Sequence, residues 1–165
     1  MESDRVESKG RESKRIGVIS DTHGLIRPEL FQALAGVDLI IHAGDIGSAE
    51  TLRELGRIAP VIAVRGNCDR GELQEKLPER ETVQIGNIRL YVLHSINELD
   101  IDPVAQGYGA VIYGHSHCPD ETWKGGVLYL NPGSAGPRRF HLPVTAARLE
   151  VCGQSILANH IRFFD

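Results

Sequence analysis

Five short apolar runs in this chain each stop at a residue able to bind a metal ion. That recurrence constrains the fold more than any other feature. Ile16-Gly17-Val18-Ile19 leads into Ser20-Asp21-Thr22-His23-Gly24, and Asp38-Leu39-Ile40-Ile41-His42 into Ala43-Gly44-Asp45. Pro60-Val61-Ile62-Ala63-Val64 leads into Arg65-Gly66-Asn67-Cys68-Asp69. Ile88 to Leu93 ends at His94-Ser95, and Ala110-Val111-Ile112-Tyr113 at Gly114-His115-Ser116-His117. Short runs that are apolar on both faces predict covered strands of the parallel type. In open α/β sheets ligands gather outside the carboxyl ends of such strands, where all these donors fall.

Helical stretches separate the first three runs. One begins at Arg27-Pro28-Glu29, with Pro28 near the first helical position and Leu30, Phe31 and Leu34 as its buried stripe. Another is capped by Ser48 and runs through Glu50, Leu52, Leu55 and Ile58. A β-α-β-α-β order calls for a parallel sheet with right-handed crossovers. The texture then changes. Glu81 to Ile85 and Ile88 to Leu93 flank Gly86-Asn87, a hairpin signal, and a short helical piece is expected around Pro103 to Gly107. Thr122 to Lys124, Val127 to Leu130, Val144 to Val151 and Ile156 to Ile161 read as antiparallel strands, with Asn131-Pro132-Gly133-Ser134 a turn by composition. The expectation is two packed mixed sheets with helices outside.

A chain of 165 residues with 41% hydrophobic residues suits one domain with a real core, placed here at residues 16–165. Residues 1–15 are charged and serine-rich, too poor in apolar surface to offset their ordering entropy, and are expected to be a disordered tail. The net charge of -4 argues against a nucleic-acid partner. Cys68, Cys118 and Cys152 are odd in number and form no C-x-x-C, which argues against a disulfide framework or a cysteine zinc site. No apolar run reaches the length of a membrane span or resembles a signal peptide, so no membrane partner is expected and the default location is cytoplasmic. Homo-oligomerisation is left open.

Each motif has a plain reading of its own. Gly44-Asp45 suits a simple turn, Gly66-Asn67 a left-handed one, and His94 alone a core or surface histidine. Asp21-x-His23 could be a turn acid beside a surface histidine, and His115-x-His117 an incidental pair. Together they give seven donors, with oxygens from Asp21, Asp45 and Asn67 and imidazoles from His23, His94, His115 and His117. That exceeds the need of one tetrahedral ion and suits two cations a few Å apart that share a carboxylate. Gly44, Gly66 and Gly114 precede ligand-type residues, where the backbone is expected to turn tightly.

The order Asp-x-His, Gly-Asp, Gly-Asn, His, Gly-His-x-His resembles the calcineurin-like metallophosphoesterases, and the likeness covers the chain from Ile16 onward. Gly66-Asn67-Cys68-Asp69, and Asn131-Pro132-Gly133-Ser134 followed by Pro137-Arg138, resemble the compact microbial phosphodiesterase branch, which also contains the small retromer subunit, a scaffold. The resemblance implies an α/β fold, a four-layer αββα sandwich of two mixed sheets flanked by helices. It implies two divalent ions, manganese first, with nickel, magnesium, zinc or iron as alternatives. Asp21, His23 and His117 would hold one ion, Asn67, His94 and His115 the other, with Asp45 bridging.

Two departures stand out. Larger relatives carry a histidine acid after Gly-Asn, and here Cys68 stands there, expected to be buried and a poor acid for an alkoxide. Relatives usually have glycine after the isolated histidine ligand, whereas Ser95 follows His94. The implied activity is hydrolysis of a small phosphate ester, foremost a diester, by hydroxide activated at the dinuclear centre, with Asp45 and Asn67 as the residues nearest the chemistry. The leaving-group proton would come from water or His42, itself readable as a core residue or as a support for the ligands. Arg65 and Arg138 are candidates for substrate phosphate or for surface ion pairs, and His141 and His160 are taken as structural. A metallo-β-lactamase-type site would need a His-x-His-x-Asp-His cluster, which is absent from the sequence. The alternative from another class is a metal-binding interaction scaffold of the same fold.

Overall fold

In the computed structural model, which describes residues 13–164, two five-stranded sheets face one another. The first has the order β10-β9-β1-β2-β3, built from β1 (Lys14–Ile19), β2 (Leu39–His42), β3 (Val61–Ala63), β9 (Thr145–Cys152) and β10 (Ser155–Arg162). The second has the order β4-β5-β6-β8-β7, from β4 (Arg80–Ile85), β5 (Ile88–Leu93), β6 (Ala110–Ile112), β7 (Asp120–Lys124) and β8 (Val127–Asn131). β1, β2 and β3 are parallel, with Ile19 opposite His42 and His42 opposite Ala63. The sandwich of two mixed sheets is the architecture expected from the sequence.

The alternation along β1 shows why the strand must be apolar on both faces. Ile16 and Val18 join Ile41, Leu90, Val92, Ile112 and Leu128 in the core between the sheets. Ile19 turns the other way, into a second cluster with Leu30, Leu34, Ile40 and Leu55 beneath the helices α1 (Pro28–Ala33) and α2 (Ala49–Leu55). Gly17 faces Leu34 so closely that an added Cβ would lie 2.6 Å from its Cδ2. The second sheet carries its outer cover in another form. A 3-10 turn (Ile96–Glu98) and the loop after it lay Ile96, Leu99, Ile101 and Tyr108 over Tyr91, Leu93 and Val111.

Several local expectations need correction. Lys14 and Arg15 belong to β1, where they pair with Val151 and Glu150, so the domain begins before Ile16. Their side chains are exposed, but the antiparallel ladder to β9 holds their backbone. The remainder of the expected tail, residues 1–12, lies outside the described residues. Phe31 is 41% exposed, because only Leu30 and Leu34 share the inward face four residues apart. Ser48 does cap α2, its hydroxyl accepting from the Thr51 amide, but the helix ends at Leu55 and Ile58 lies in a turn. The segment Pro103 to Gly107 is a turn and not a helix, whereas α3 (Glu72–Lys76), after Gly71 at a φ of 61°, was not foreseen. β8 pairs parallel with β6 and antiparallel only with β7, so the later strands are not all antiparallel. No described helix is long and apolar enough to cross a membrane.

The topology sorts the two ends of the sandwich. β1, β2, β3, β5 and β6 all run toward one end, where their loops meet. The tight turns at Gly86-Asn87, Gly125-Gly126 and Gly153-Gln154 close the hairpins β4-β5, β7-β8 and β9-β10 at the opposite end.

Candidate metal centre

The loops after β1 and β2 are stitched backbone to backbone. The amides of Asp21, His23 and Gly24 donate to the carbonyls of Gly44, Asp45 and Ile46 at 2.8–3.0 Å. Asp21 and Asp45 therefore enter the same space. Asp21 is fully buried. Its Oδ2 accepts from the Ser20 hydroxyl at 2.6 Å and the His115 amide at 3.1 Å. Its Oδ1 has no hydrogen-bond partner and stands 3.4 Å from His117 Nε2 and 3.9 Å from both His23 Nε2 and His94 Nε2. Asp45 uses Oδ1 to accept from the Cys68 amide at 2.8 Å, which leaves Oδ2 at 3.3 Å from His94 Nε2 and 3.8 Å from His23 Nε2.

The 3.8–3.9 Å separations are too long for hydrogen bonds, and those of 3.3 and 3.4 Å match ligands of a common ion. Two donors about 2.1 Å from one cation, at angles of about 90–110°, stand about 3.0–3.4 Å apart. The partner count agrees. Of five described buried side-chain atoms without a hydrogen-bond partner, four belong to this cluster: Asp21 Oδ1, His23 Nε2, His94 Nε2 and His117 Nδ1. Buried polar groups are rarely left unpaired, so an orphaned set this concentrated asks for a ligand. Asp21, His23 and His117 form one group with donors within 4.8 Å of one another, and Asp21, Asp45 and His94 form another. These residues fit a divalent-ion site.

The second half is held from beneath. His94 Nδ1 lies 2.7 Å from the Ala43 carbonyl, which can only accept, so the proton sits on Nδ1 and the Nε2 lone pair faces the centre. His115 Nδ1 lies 3.2 Å from Asn67 Oδ1, and the His94 and His115 rings are 5.2 Å apart. All seven donors expected from the sequence are thus at one end of the sandwich: Asp21, His23, Asp45, His94 and His117 converge in close groups, while the exposed Asn67 and His115 pair with each other at the rim beside His94.

The field there is negative. Burial opposes ionisation of Asp21 and Asp45, yet the neighbouring His117 ring and the Ser20 hydroxyl hold Asp21 below the usual carboxylate range, and the neighbouring His94 ring and the Cys68 amide hold Asp45 well below it. At His94 burial favours the neutral ring, but Asp45 and Asp21 outweigh it and raise the proton affinity. A centre that attracts a proton this way also attracts a metal cation, which displaces that proton. Five donors sit at left-handed φ: Asp21 (57°), His23 (47°), Asp45 (56°), His115 (72°) and His117 (63°). Such conformations cost about 1–3 kcal/mol each for most residues, less for Asp and His, and collect at functional sites.

Of the glycines, Gly44 turns the chain at a φ of 102°. Gly66 and Gly114 serve another purpose: added Cβ atoms there would collide with Asp45 and with Ser20 and Asp21. Close approach, and not a turn, requires them.

One expectation changes, at Cys68, and three open readings can be placed. Cys68 is exposed, since its amide is turned in to Asp45, and partial burial together with the Asp45 and Asp69 charges pushes its thiol up despite Arg139. His42 is fully buried. Its Nδ1 accepts from the Gly44 amide at 3.1 Å, so its Nε2 donates to Thr22 Oγ1 at 2.9 Å. Burial lowers its pKa to about 4, so it braces the two aspartate loops and has no proton to give a leaving group. Arg65 gives both Nη1 donors to the carbonyls of Gln74 and Leu77 and pairs through Nη2 with Glu79 at 3.0 Å, the ion-pair reading of the two that the sequence allowed. Arg138 is exposed and makes no described contact with the centre. His160, taken as structural, lies 2.8 Å from the Asn131 carbonyl.

Two supports were missed. Asp69, 1% exposed, accepts from the amides of Ile46, Gly47 and Gly66 at 2.8–3.1 Å and ties the β2 loop to the β3 loop. Its place after Gly66-Asn67-Cys68 was the available signal, since Asp in a turn readily accepts from nearby amides. Asn131 donates to the Gly114 carbonyl and to Ser116 Oγ, while Ser134 Oγ donates to the Asp21 carbonyl. The expected turn is therefore a clasp between the Asp21 loop and the His115 loop.

Residues 15–154 match the model of the calcineurin-like phosphoesterase superfamily domain. A protein of Methanothermobacter thermautotrophicus named as a probable metallophosphoesterase is 35% identical over 89% of this chain and 91% of its own. A phosphodiesterase of Escherichia coli is 27% identical over 84% of this chain and 89% of its own. The solved structure of an archaeal phosphodiesterase superposes with a TM-score of 0.75 at 26% identity, covering 90% of this chain and 99% of that one. Vps29 from Cryptosporidium parvum superposes at 0.73 with 20% identity, covering 93% and 99%, a likeness of fold alone.

Proposed function

The chain belongs to the calcineurin-like phosphoesterase superfamily, and on that footing we propose that it is a phosphodiesterase with a dinuclear metal centre. The observation that carries this reading is the set of four orphaned, buried donor atoms around Asp21 and Asp45. Asp21, His23 and His117 would hold one divalent ion and Asn67, His94 and His115 the other, with Asp45 shared by both. Ions bound there supply positive charge for the phosphoryl oxygens and a water acidified to near neutrality.

The chain's own residues do the rest. Asp21 and Asp45 enter ionised, and the Ala43 carbonyl fixes His94 in the tautomer that a ligand needs. Asn67 Nδ2 points at Cys68 Sγ at 3.5 Å, a weak acceptor that a phosphoryl oxygen can replace while Oδ1 stays beside His115. With His42 buried and fully engaged, the leaving-group proton comes from solvent. Esters whose leaving groups need no proton are therefore the best substrates. A small phosphate ester is the proposed substrate, and manganese the first metal to supply.

The test combines metal analysis of the purified protein with turnover of a chromogenic diester after loading with manganese, nickel or magnesium. Two ions per chain and turnover abolished by chelator are expected. A fully loaded protein without diesterase activity would overturn the reading in favour of a metal-binding scaffold.

A further inference from the structure

A cleft of about 170 Å³ opens beside His94 and His115, walled by Arg65, Asn67, Glu79, Ser95 and Glu98. It adjoins the metal centre, and His94 reaches it with a ring 5% exposed whose Nε2 has no hydrogen-bond partner. A phosphoryl group drawn to that floor would direct one of its ester substituents along these walls.

The walls differ in charge from what their composition suggests. Arg65 is the cation among them, but its charge is paired with Glu79 and two of its donors go to backbone carbonyls. Arg80, behind the wall, lies 3.5 Å from Glu79 and 3.6 Å from Asp100, and it donates to the backbone carbonyl of Glu98 and not to its carboxylate. Three carboxylates thus face two guanidiniums. Among the described residues no cation or hydrogen-bond donor meets the Glu98 side chain, so the unbalanced charge of these walls is negative. Beyond the floor, a second anion, such as the next phosphate of a polyphosphate or nucleic-acid strand, meets the unpaired Glu98 carboxylate.

We propose that this cleft takes the organic substituent of a phosphodiester and that Glu98 selects a substituent bearing an alkylammonium head over a neutral or anionic one. The proposal rests on the phosphodiesterase reading, whose floor it uses, and adds the substrate class. Glu98 is solvent-exposed, so its effect is that of a partly screened ion pair and is a preference, not an absolute requirement.

The experiment uses the full chain loaded with manganese and two chromogenic diesters with the same nitrophenolate leaving group. One is p-nitrophenyl phosphocholine. The other is its uncharged counterpart, in which carbon replaces the ammonium nitrogen. Taking the ratio of kcat/KM values within each protein cancels any difference in metal content or fold. Wild type should favour the choline ester by roughly fivefold, the upper range for an exposed pair. Glu98→Gln should bring the ratio near one, Glu98→Lys should push it below one, and high salt should erode it in the wild type. A wild-type ratio near one with diesterase activity intact overturns the proposal, as does a ratio unchanged in Glu98→Lys. Hydrolysis of neither ester removes the phosphodiesterase reading instead. Calorimetric binding of phosphocholine against its carbon counterpart then decides the preference, with equal affinities overturning it.

Discussion

Replacing His42 by phenylalanine should destabilise the protein by about 2 kcal/mol at about pH 7.5 and by almost nothing at about pH 5. Phenylalanine keeps the ring in its fully buried slot but removes the acceptor of the Gly44 amide and the donor to Thr22 Oγ1. Leaving one buried donor unmet costs about 1–3 kcal/mol, which sets the neutral-pH penalty. The pH term follows from burial, which lowers the His42 pKa from 6.5 to about 4 against the pull of Asp21, Asp69 and Asp45. A depressed pKa means that the unfolded chain binds the proton first. The His42 contribution is whole above about pH 6.5 and lost as pH falls toward 4. At about pH 5 the linkage amounts to about 2 kcal/mol, enough to cancel the mutational penalty. Urea denaturation of both proteins in chelator, followed by circular dichroism at the two pH values, measures the gap, and histidines common to both chains drop out of the difference. A gap of equal size at both pH values would refute a buried, neutral His42.

Asp45→Asn should lower diesterase activity by at least about a hundredfold and reduce metal content at both sites together, as read by metal analysis and turnover. Chelator should lower the melting temperature of the wild type and barely change that of Asp45→Asn, because ions that bind only the folded state stabilise it by mass action. Cys68→Ser should change turnover by less than about tenfold, since the exposed thiol is pushed away from ionisation; a loss of several orders of magnitude at full metal content would give the thiol a chemical role. Asp69→Ala strands the amides of Ile46, Gly47 and Gly66 and should cost about 3 kcal/mol in denaturant titrations, with a stable variant refuting its part as a tie.

The parallel half of the fold was legible because each strand there is apolar on both faces and ends in a glycine-marked loop. The donors were legible for the same reason: Asp21, Asp45, Asn67, His94 and His115 stand where strands stop. What escaped the sequence depends on distance across the chain. His42 lies on β2, yet its importance comes from Thr22, twenty residues away. Asp69 acts through amides of the β2 loop, and Asn131 through the His115 loop. Arg65 read equally as a cation for phosphate or as a surface ion pair, and what decides is again remote: the carbonyls of Gln74 and Leu77 and the Glu79 carboxylate beyond α3. Phe31 misled because a stripe three or four residues apart can take only one side of a six-residue helix.

The segregation of strand ends leaves the far end of the sandwich permissive. Gly86, Gly126 and Gly153 sit there at left-handed φ with open space around each, in turns that touch nothing near Asp45. Exposed turns of this kind tolerate added chain best. A peptide tag, a fluorescent domain or an immobilisation handle grafted at Gly86-Asn87 or Gly153-Gln154 should leave metal uptake as it is in the parent protein. The same graft beside Gly66 or Gly114, where even one methyl group does not fit, should abolish it.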